Sequence, residues 1–256
     1  DSPVLEPTEL FLAKGNEEII NEQTYTFQDR GERSVTLRTE MTPSVSRMVA
    51  AKRQELPYPL RWYSIPNLWR YERPQKGRLR EFWQLNVDIF GVAGVEADLE
   101  MIELADTIMK SFGAKQEMYS IKLNSRSVMD FIVKDYLDLD EVQSSTLVHL
   151  IDRMHKMEKN EFVALLEGIL TPVQRENGLA DKVMSILSLK SAENLPAEIV
   201  SQTATIKLIS LVNLLQLKGM KNVSYDPTLM RGFDYYTDIV FEVFDTDPEN
   251  NRSMFG

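Results

Sequence analysis

The sequence predicts an α+β fold, a mainly antiparallel sheet flanked by helices and carrying a helical insertion. Three observations support this. Runs rich in aromatic and β-branched residues, separated by Pro, Gly and Asp turns, fill most of the first 90 residues. A block from residue 125 to about 218 changes character to Met-, Leu-, Lys- and Glu-rich stretches with helical periodicity. Strand-like composition then returns at NVSYDPTLMRGFDYYTDIVFEVF. These shifts divide the chain into residues 1–124, 125–218 and 219–256.

With 256 residues, 43% of them hydrophobic, the chain can bury a substantial core in about two structural units. No run approaches the roughly 18 apolar residues of a membrane span, and no signal peptide pattern opens the chain, so no membrane role is expected. There is no cysteine, which excludes disulfides and thiolate metal sites. The two histidines, His149 and His155, are not spaced to share a helical face, and no protein-borne metal site is expected. A net charge of −10 argues against non-specific nucleic-acid affinity, so any RNA contact should be local.

Taken in order, DSPVLEPTELFL is an extended segment broken by Pro3 and Pro7. TYTFQDRGERSVTLRTEMTP reads as two strands joined by Asp29, Arg30 and Gly31. In the second strand Thr36, Arg38 and Glu40 share a face, opposite Val35 and Leu37. A charged pair facing inward is costly unless it meets a partner or ligand. Thr42 reads as a capping threonine before Pro43, opening a helix with Val45, Met48 and Val49 inward.

The next stretch, RWYSIPNLWRYERPQKGRLREFWQLNVDIFG at 61–91, reads as one long antiparallel hairpin turning at PQKG. From residue 61 to 80 it carries six basic side chains (Arg61, Arg70, Arg73, Lys76, Arg78, Arg80) against one acid, Glu72. That local reversal of sign marks a place prepared for an anion, and arginines suit phosphates. Alternation in the return strand puts Trp83, Leu85, Val87 and Ile89 on a face expected to be core. Phe82, Gln84, Asn86, Asp88 and Phe90 lie on the other, a polar floor suited to a small ligand with donors to satisfy.

Apolar residues at 99, 102, 105, 109 and 112 predict a helix over 97–112 that ends at Gly113. EMYSIKLNSR returns to strand. The insertion then offers VMDFIVKDYLDL, STLVHLIDRMHKM, EFVALLEGIL and a long helix over AEIVSQTATIKLISLVNLLQLK.

The run from Leu68 to Arg78, followed by Phe82-Trp83-Gln84, resembles motif 2 of the class II aminoacyl-tRNA synthetases in the form found in the histidyl-tRNA synthetase family. Three other segments are similar to that family: DSPVLEPTELFL to the end of motif 1, LRTEMT to a short amino-acid-binding signature, and RGFDYYT to a histidyl-specific signature. The resemblance implies a class II synthetase-type fold. The activity implied is the ATP-dependent activation of L-histidine to histidyl-adenylate and its transfer to the 3′ end of tRNA(His), with Mg²⁺ accompanying ATP, in a cytoplasmic homodimer.

Carried over residue by residue, the resemblance assigns Arg70 to the α-phosphate of ATP, Glu72 to the adenine edge and Arg78 to the distal phosphates. Glu40, Thr42 and Gln84 would hold the histidine ammonium group. Asp88 and Tyr236, with Tyr235 beside it, would meet the imidazole. Arg231 would contact the substrate carboxylate and the α-phosphate, making Arg70 and Arg231 the catalytic pair. The helical insertion would lie near the acceptor end of the tRNA.

There are departures from the family pattern. Asp88 stands where many members have glutamate, so the shorter side chain must be met by a small shift or a water. Asp238 stands where the signature usually has glycine, which implies a differently built turn after Tyr236. Motif 3 and the anticodon-binding domain would follow Gly256, so the stretch 1–256 is expected to be an incomplete catalytic unit. The opposing reading is the synthetase-like regulatory subunit of ATP phosphoribosyltransferase, a histidine sensor that does no aminoacylation. Retention of Arg70, Arg78 and Arg231 favours the enzyme, because a sensor has no use for arginines aimed at ATP.

Overall fold

A cluster of threonine hydroxyls ties together the first strands. Thr36 is fully buried, and its Oγ1 lies 3.0 Å from that of Thr8 and 2.8 Å from that of Thr26. The computed structural model describes residues 2–12, 23–73, 78–230, 236–250 and 253–256. The chain divides into two units, 1–93 and 94–256.

In the first unit β1 (Leu5–Pro7) is followed by a single helical turn, α1 (Glu9–Leu12). Then β2 (Thr26–Gln28) and β3 (Ser34–Leu37) complete a three-stranded antiparallel sheet in the order β1-β3-β2. The turn between β2 and β3 is built as expected. The Asp29 carboxylate accepts from the backbone of Gly31 at 2.8 Å and of Arg33 at 3.0 Å, an Asx arrangement that substitutes for strand pairing. Beyond it α2 (Thr42–Ala51) buries Val45 and Val49. Glu6, almost wholly buried, accepts from Arg47 of α2 at 2.9 Å and fastens that helix to β1.

The expected single hairpin is in fact two strand pairs. β4 (Leu60–Ser64) pairs with β7 (Asn86–Phe90), and β5 (Asn67–Trp69) pairs with β6 (Glu81–Trp83), all antiparallel. The ladder breaks at Pro66, which has no N–H to give. Its carbonyl instead accepts from Gln84 N at 3.2 Å.

The face expected to be core is also not the covered one. Trp83 is 71% exposed and Leu85 44%. The partly buried Trp62 and Phe90 pack with Leu60, Val45 and Val49 beneath α2, on the face that also carries Asn86 and Asp88. Alternation states which residues share a face; where the covering helix lands decides which face is buried.

The second unit opens with α3 (Val95–Ser111), whose end is marked by Gly113 at φ +83°, a left-handed position open to glycine. β8 (Tyr119–Ser125) leads into α4 (Arg126–Asp130), which runs on as a π-helical turn over Phe131–Tyr136. The insertion continues with α5 (Glu141–Asp152), α6 (Lys159–Ile169), α7 (Pro172–Glu176), α8 (Leu179–Leu187), α9 (Ala197–Val200) and α10 (Thr203–Leu217). The long helix expected from 197 is therefore two, because Gln202 leaves helical geometry with ψ 140°.

β9 (Val223–Tyr225), β10 (Ile239–Asp245) and β11 (Ser253–Phe255) join β8 in a sheet ordered β11-β10-β8-β9, antiparallel except for β8 with β9. Ile121 and Leu123 of β8, Val243 of β10, Phe162 and Leu166 of α6, and Leu208 and Leu211 of α10 fill one hydrophobic core. The insertion helices and the strands around them are thus stabilised by the same buried surface.

Candidate active site

Where β3 runs out, the chain must turn into α2. Arg38 makes that turn rigid. It is buried, and its guanidinium donates to the carbonyls of Asn67 at 2.9 Å and Ser2 at 3.2 Å and to the Ser2 hydroxyl at 2.8 Å. Burial pulls its pKa below the ordinary arginine value, against the attraction of Glu6. The inward charge flagged by alternation is therefore met by the protein's own carbonyls, a structural use. Glu40 follows on the link to α2, half-buried.

The Thr42 side chain does not cap the helix. Met41 occupies the capping position and no side chain closes it. The Thr42 hydroxyl instead donates to Asp88 Oδ1 at 3.1 Å, and it lies 3.5 Å from Asn86 Oδ1. Asn86 Nδ2 donates to the other carboxylate oxygen, Asp88 Oδ2, at 2.6 Å. Thr42, Asn86 and Asp88 thus form one polar cluster where β7 meets the start of α2. A hydroxyl whose proton is committed to a carboxylate presents its lone pairs, so Thr42 is set to accept from a cation. Gln84 is half-buried just before β7, and its side chain makes no hydrogen bond among the described residues.

On the strand pair β5–β6, Arg70 is oriented without being neutralised. Its Nε donates to the Thr39 carbonyl at 3.1 Å, and its guanidinium lies 5.6 Å from the centre of the Phe82 ring. No carboxylate pairs with it among the described residues. A half-buried guanidinium held this way is a ready anion site. Glu72 and Arg78 are brought together in an ion pair of 3.2 Å. Arg80 supports the same region, donating to the Glu72 carbonyl at 3.1 Å and stacking 4.2 Å over Tyr71. The turn residues 74–77 lie outside the described residues.

Of the signature residues in the second unit, Arg231 and Tyr235 lie outside the described residues. Tyr236 is described and 49% exposed. Asp238, two residues on, is firmly held. Lys207 of α10 reaches it at 2.6 Å and reaches Asp98 of α3 at 2.9 Å, while the Ser125 hydroxyl donates to its other oxygen at 3.2 Å. Burial raises the Asp98 pKa despite the lysine, and Asp238 adds to that rise. The backbone is tied down at the same place, with Arg126 N donating to the Asp238 carbonyl at 2.8 Å and Ser127 Oγ to that of Thr237 at 3.0 Å.

Sequence reasoning placed Asn86 on the polar floor but gave it no role. Its i, i+2 relation to Asp88 was the available signal. Lys207 was not found at all, since nothing in a helical stretch announces a partner 31 residues away.

This architecture has relatives among solved structures. A Bacillus halodurans protein described as an ATP phosphoribosyltransferase regulatory subunit/histidyl-tRNA synthetase superposes with a TM-score of 0.79 at 24% identity, covering 96% of this chain and 63% of that one. Histidyl-tRNA synthetase from Nostoc superposes at 0.75 and 20% identity, covering 94% and 56%. The fold is that of the class II aminoacyl-tRNA synthetases.

The histidyl-tRNA synthetase family profile matches residues 1–251. A histidine–tRNA ligase of Leptospira biflexa is 41% identical over the whole chain, and one of Thermoplasma volcanium is 39% identical over 96% of it. The chain belongs to the histidyl-tRNA synthetase family. It spans 58% and 56% of the length of those two relatives.

Proposed function

We propose that the protein activates L-histidine with MgATP to give histidyl-adenylate and transfers the histidyl group to the 3′ end of tRNA(His). The observation that carries this reading is the pairing of two unlike sites in one unit. One is the Thr42–Asn86–Asp88 cluster, the other the carbonyl-anchored Arg70, which pairs with no carboxylate among the described residues.

In this reading Thr42, with Glu40 and Gln84, accepts from the histidine ammonium group, and Asp88 accepts from a ring N–H of the imidazole. Tyr235 and Tyr236 are assigned to histidine on resemblance alone, as is Arg231 to its carboxylate. Arg70 takes the α-phosphate and stabilises the charge that grows as the histidine carboxylate attacks phosphorus and pyrophosphate leaves. Glu72 and Arg78 exchange their mutual pairing for the adenine edge and the distal phosphates.

Residues 1–124 and 219–256 would supply the catalytic region, and 125–218 the helices near the tRNA acceptor end. A cytoplasmic homodimer completes the proposal. Among the described residues no helix is long and apolar enough to cross a membrane.

Histidine-dependent ATP–pyrophosphate exchange on the full-length protein, with calorimetric titration of histidine, is the test. Exchange establishes the ligase reading. Histidine binding without exchange overturns it in favour of a sensor.

A further inference from the structure

We propose that Asn86 is a positioning residue for histidine specificity, acting by holding the Asp88 carboxylate in one orientation. This rests on the histidyl reading above and concerns a residue to which that reading gives no task. Asn86 and Asp88 are two apart on β7 and so share a face.

Their contacts divide the carboxylate between two elements. Asn86 Nδ2 holds Oδ2 at 2.6 Å from within the strand, and the Thr42 hydroxyl holds Oδ1 at 3.1 Å from the first turn of α2. A bond to one oxygen restrains rotation about the Cβ–Cγ axis less than a bond to each. Two bonds, one to each oxygen, set the plane. The amide-to-carboxylate bond is short and charge-assisted, the stronger kind.

Orientation matters because Asp88 has a short side chain with a single torsion between its backbone and its carboxylate. A short side chain cannot reorient to follow its ligand, so it must be held at the right angle beforehand. A site that rewards a ring N–H rejects analogues lacking it only if its acceptor is fixed and cannot find another donor. Packing alone would not select asparagine here, since an apolar residue would fill a half-buried position without an amide to satisfy. The surroundings are polar on the same face. Ser64 stands opposite Asn86 in register, and its buried Oγ makes no hydrogen bond among the described residues.

The test is steady-state pyrophosphate exchange on the full-length protein for wild type, Asn86→Ala and Asn86→Ala/Asp88→Glu, with thermal melts alongside. Asn86→Ala is expected to raise the histidine KM roughly tenfold or more, the effect of losing a hydrogen bond to a charged group, while the ATP KM stays unchanged. The longer carboxylate of the double variant is expected to recover most of that loss. Asn86→Asp keeps the volume while removing the donor, and it carries the same expectation should Asn86→Ala fail to fold. An unchanged histidine KM, or both KM values rising together with a lowered Tm, would overturn the positioning role. A wild type without histidine-dependent exchange would overturn the histidyl reading first, and this proposal with it.

Discussion

Glu72 and Arg78, the residues assigned to opposite ends of one nucleotide, form an ion pair of 3.2 Å across the basic hairpin. Arg78 is more exposed than buried, so the pair itself contributes little, about 0–1 kcal/mol. In the proposed reading, each residue keeps the other within reach of the nucleotide.

Glu72→Gln should therefore leave stability within about 0.5 kcal/mol of wild type. The ATP KM should rise and the histidine KM stay constant. Denaturant melts and exchange kinetics check this, and an unchanged ATP KM removes Glu72 from nucleotide recognition.

Thr42→Val removes the hydroxyl that meets Asp88 while keeping its shape. The histidine KM is expected to rise roughly tenfold, and Thr42→Ser should restore it, because serine retains the donor. Equal kinetics for the valine and serine variants would show that the hydroxyl is idle.

Arg231→Ala should lower adenylation by about 10²–10³-fold with the fold intact, by analogy with losing one preorganised donor to a developing charge. Circular dichroism and pyrophosphate exchange together decide it. Undiminished exchange would take Arg231 out of the mechanism.

Away from the site, acid stability should depend on Asp226. Burial pushes its pKa up, but Lys122 at 2.8 Å and two hydrogen bonds from Thr228 outweigh burial and hold the carboxyl below its usual range. A folded pKa below the unfolded one means that stability from this group is present above about pH 4 and lost as pH falls through the folded value. Lys122→Met leaves the buried Asp226 carboxylate without its cation, so it should destabilise by about 3 kcal/mol at pH 7, and by less at about pH 3, where the wild type has begun to lose this group's contribution. Urea unfolding at both pH values measures the gap; a gap that does not shrink rejects the pairing.

The two faces of the hairpin can be distinguished by stability. Leu68 is fully buried and Trp83 is 71% exposed. Leu68→Ala should cost about 3 kcal/mol, and Trp83→Gln under about 0.5 kcal/mol. A costly Trp83→Gln would restore the face first expected to be core.

What the sequence determined by itself was local and chemical. Turn residues marked the β2–β3 turn, a 3.6-residue period marked α3, and Gly113 marked its end, because these depend on neighbours in the chain. The order of LRTEMT, the Arg-rich hairpin and RGFDYYT carried the family. Alternation also put Asn86 and Asp88 on one face.

Only the tertiary structure decided what those residues meet. Thr42 reads as a cap until a carboxylate 46 residues on claims its hydroxyl. Arg38 reads as an inward charge in need of a partner or a ligand until the carbonyls of Asn67 and Ser2 supply the partner. Pro66 splits a hairpin that composition alone makes continuous, and α2 buries the face opposite the one its partner strands advertise. Each outcome turns on a contact between segments distant in sequence, set by where one element packs on another, and periodicity within a single element carries no record of that.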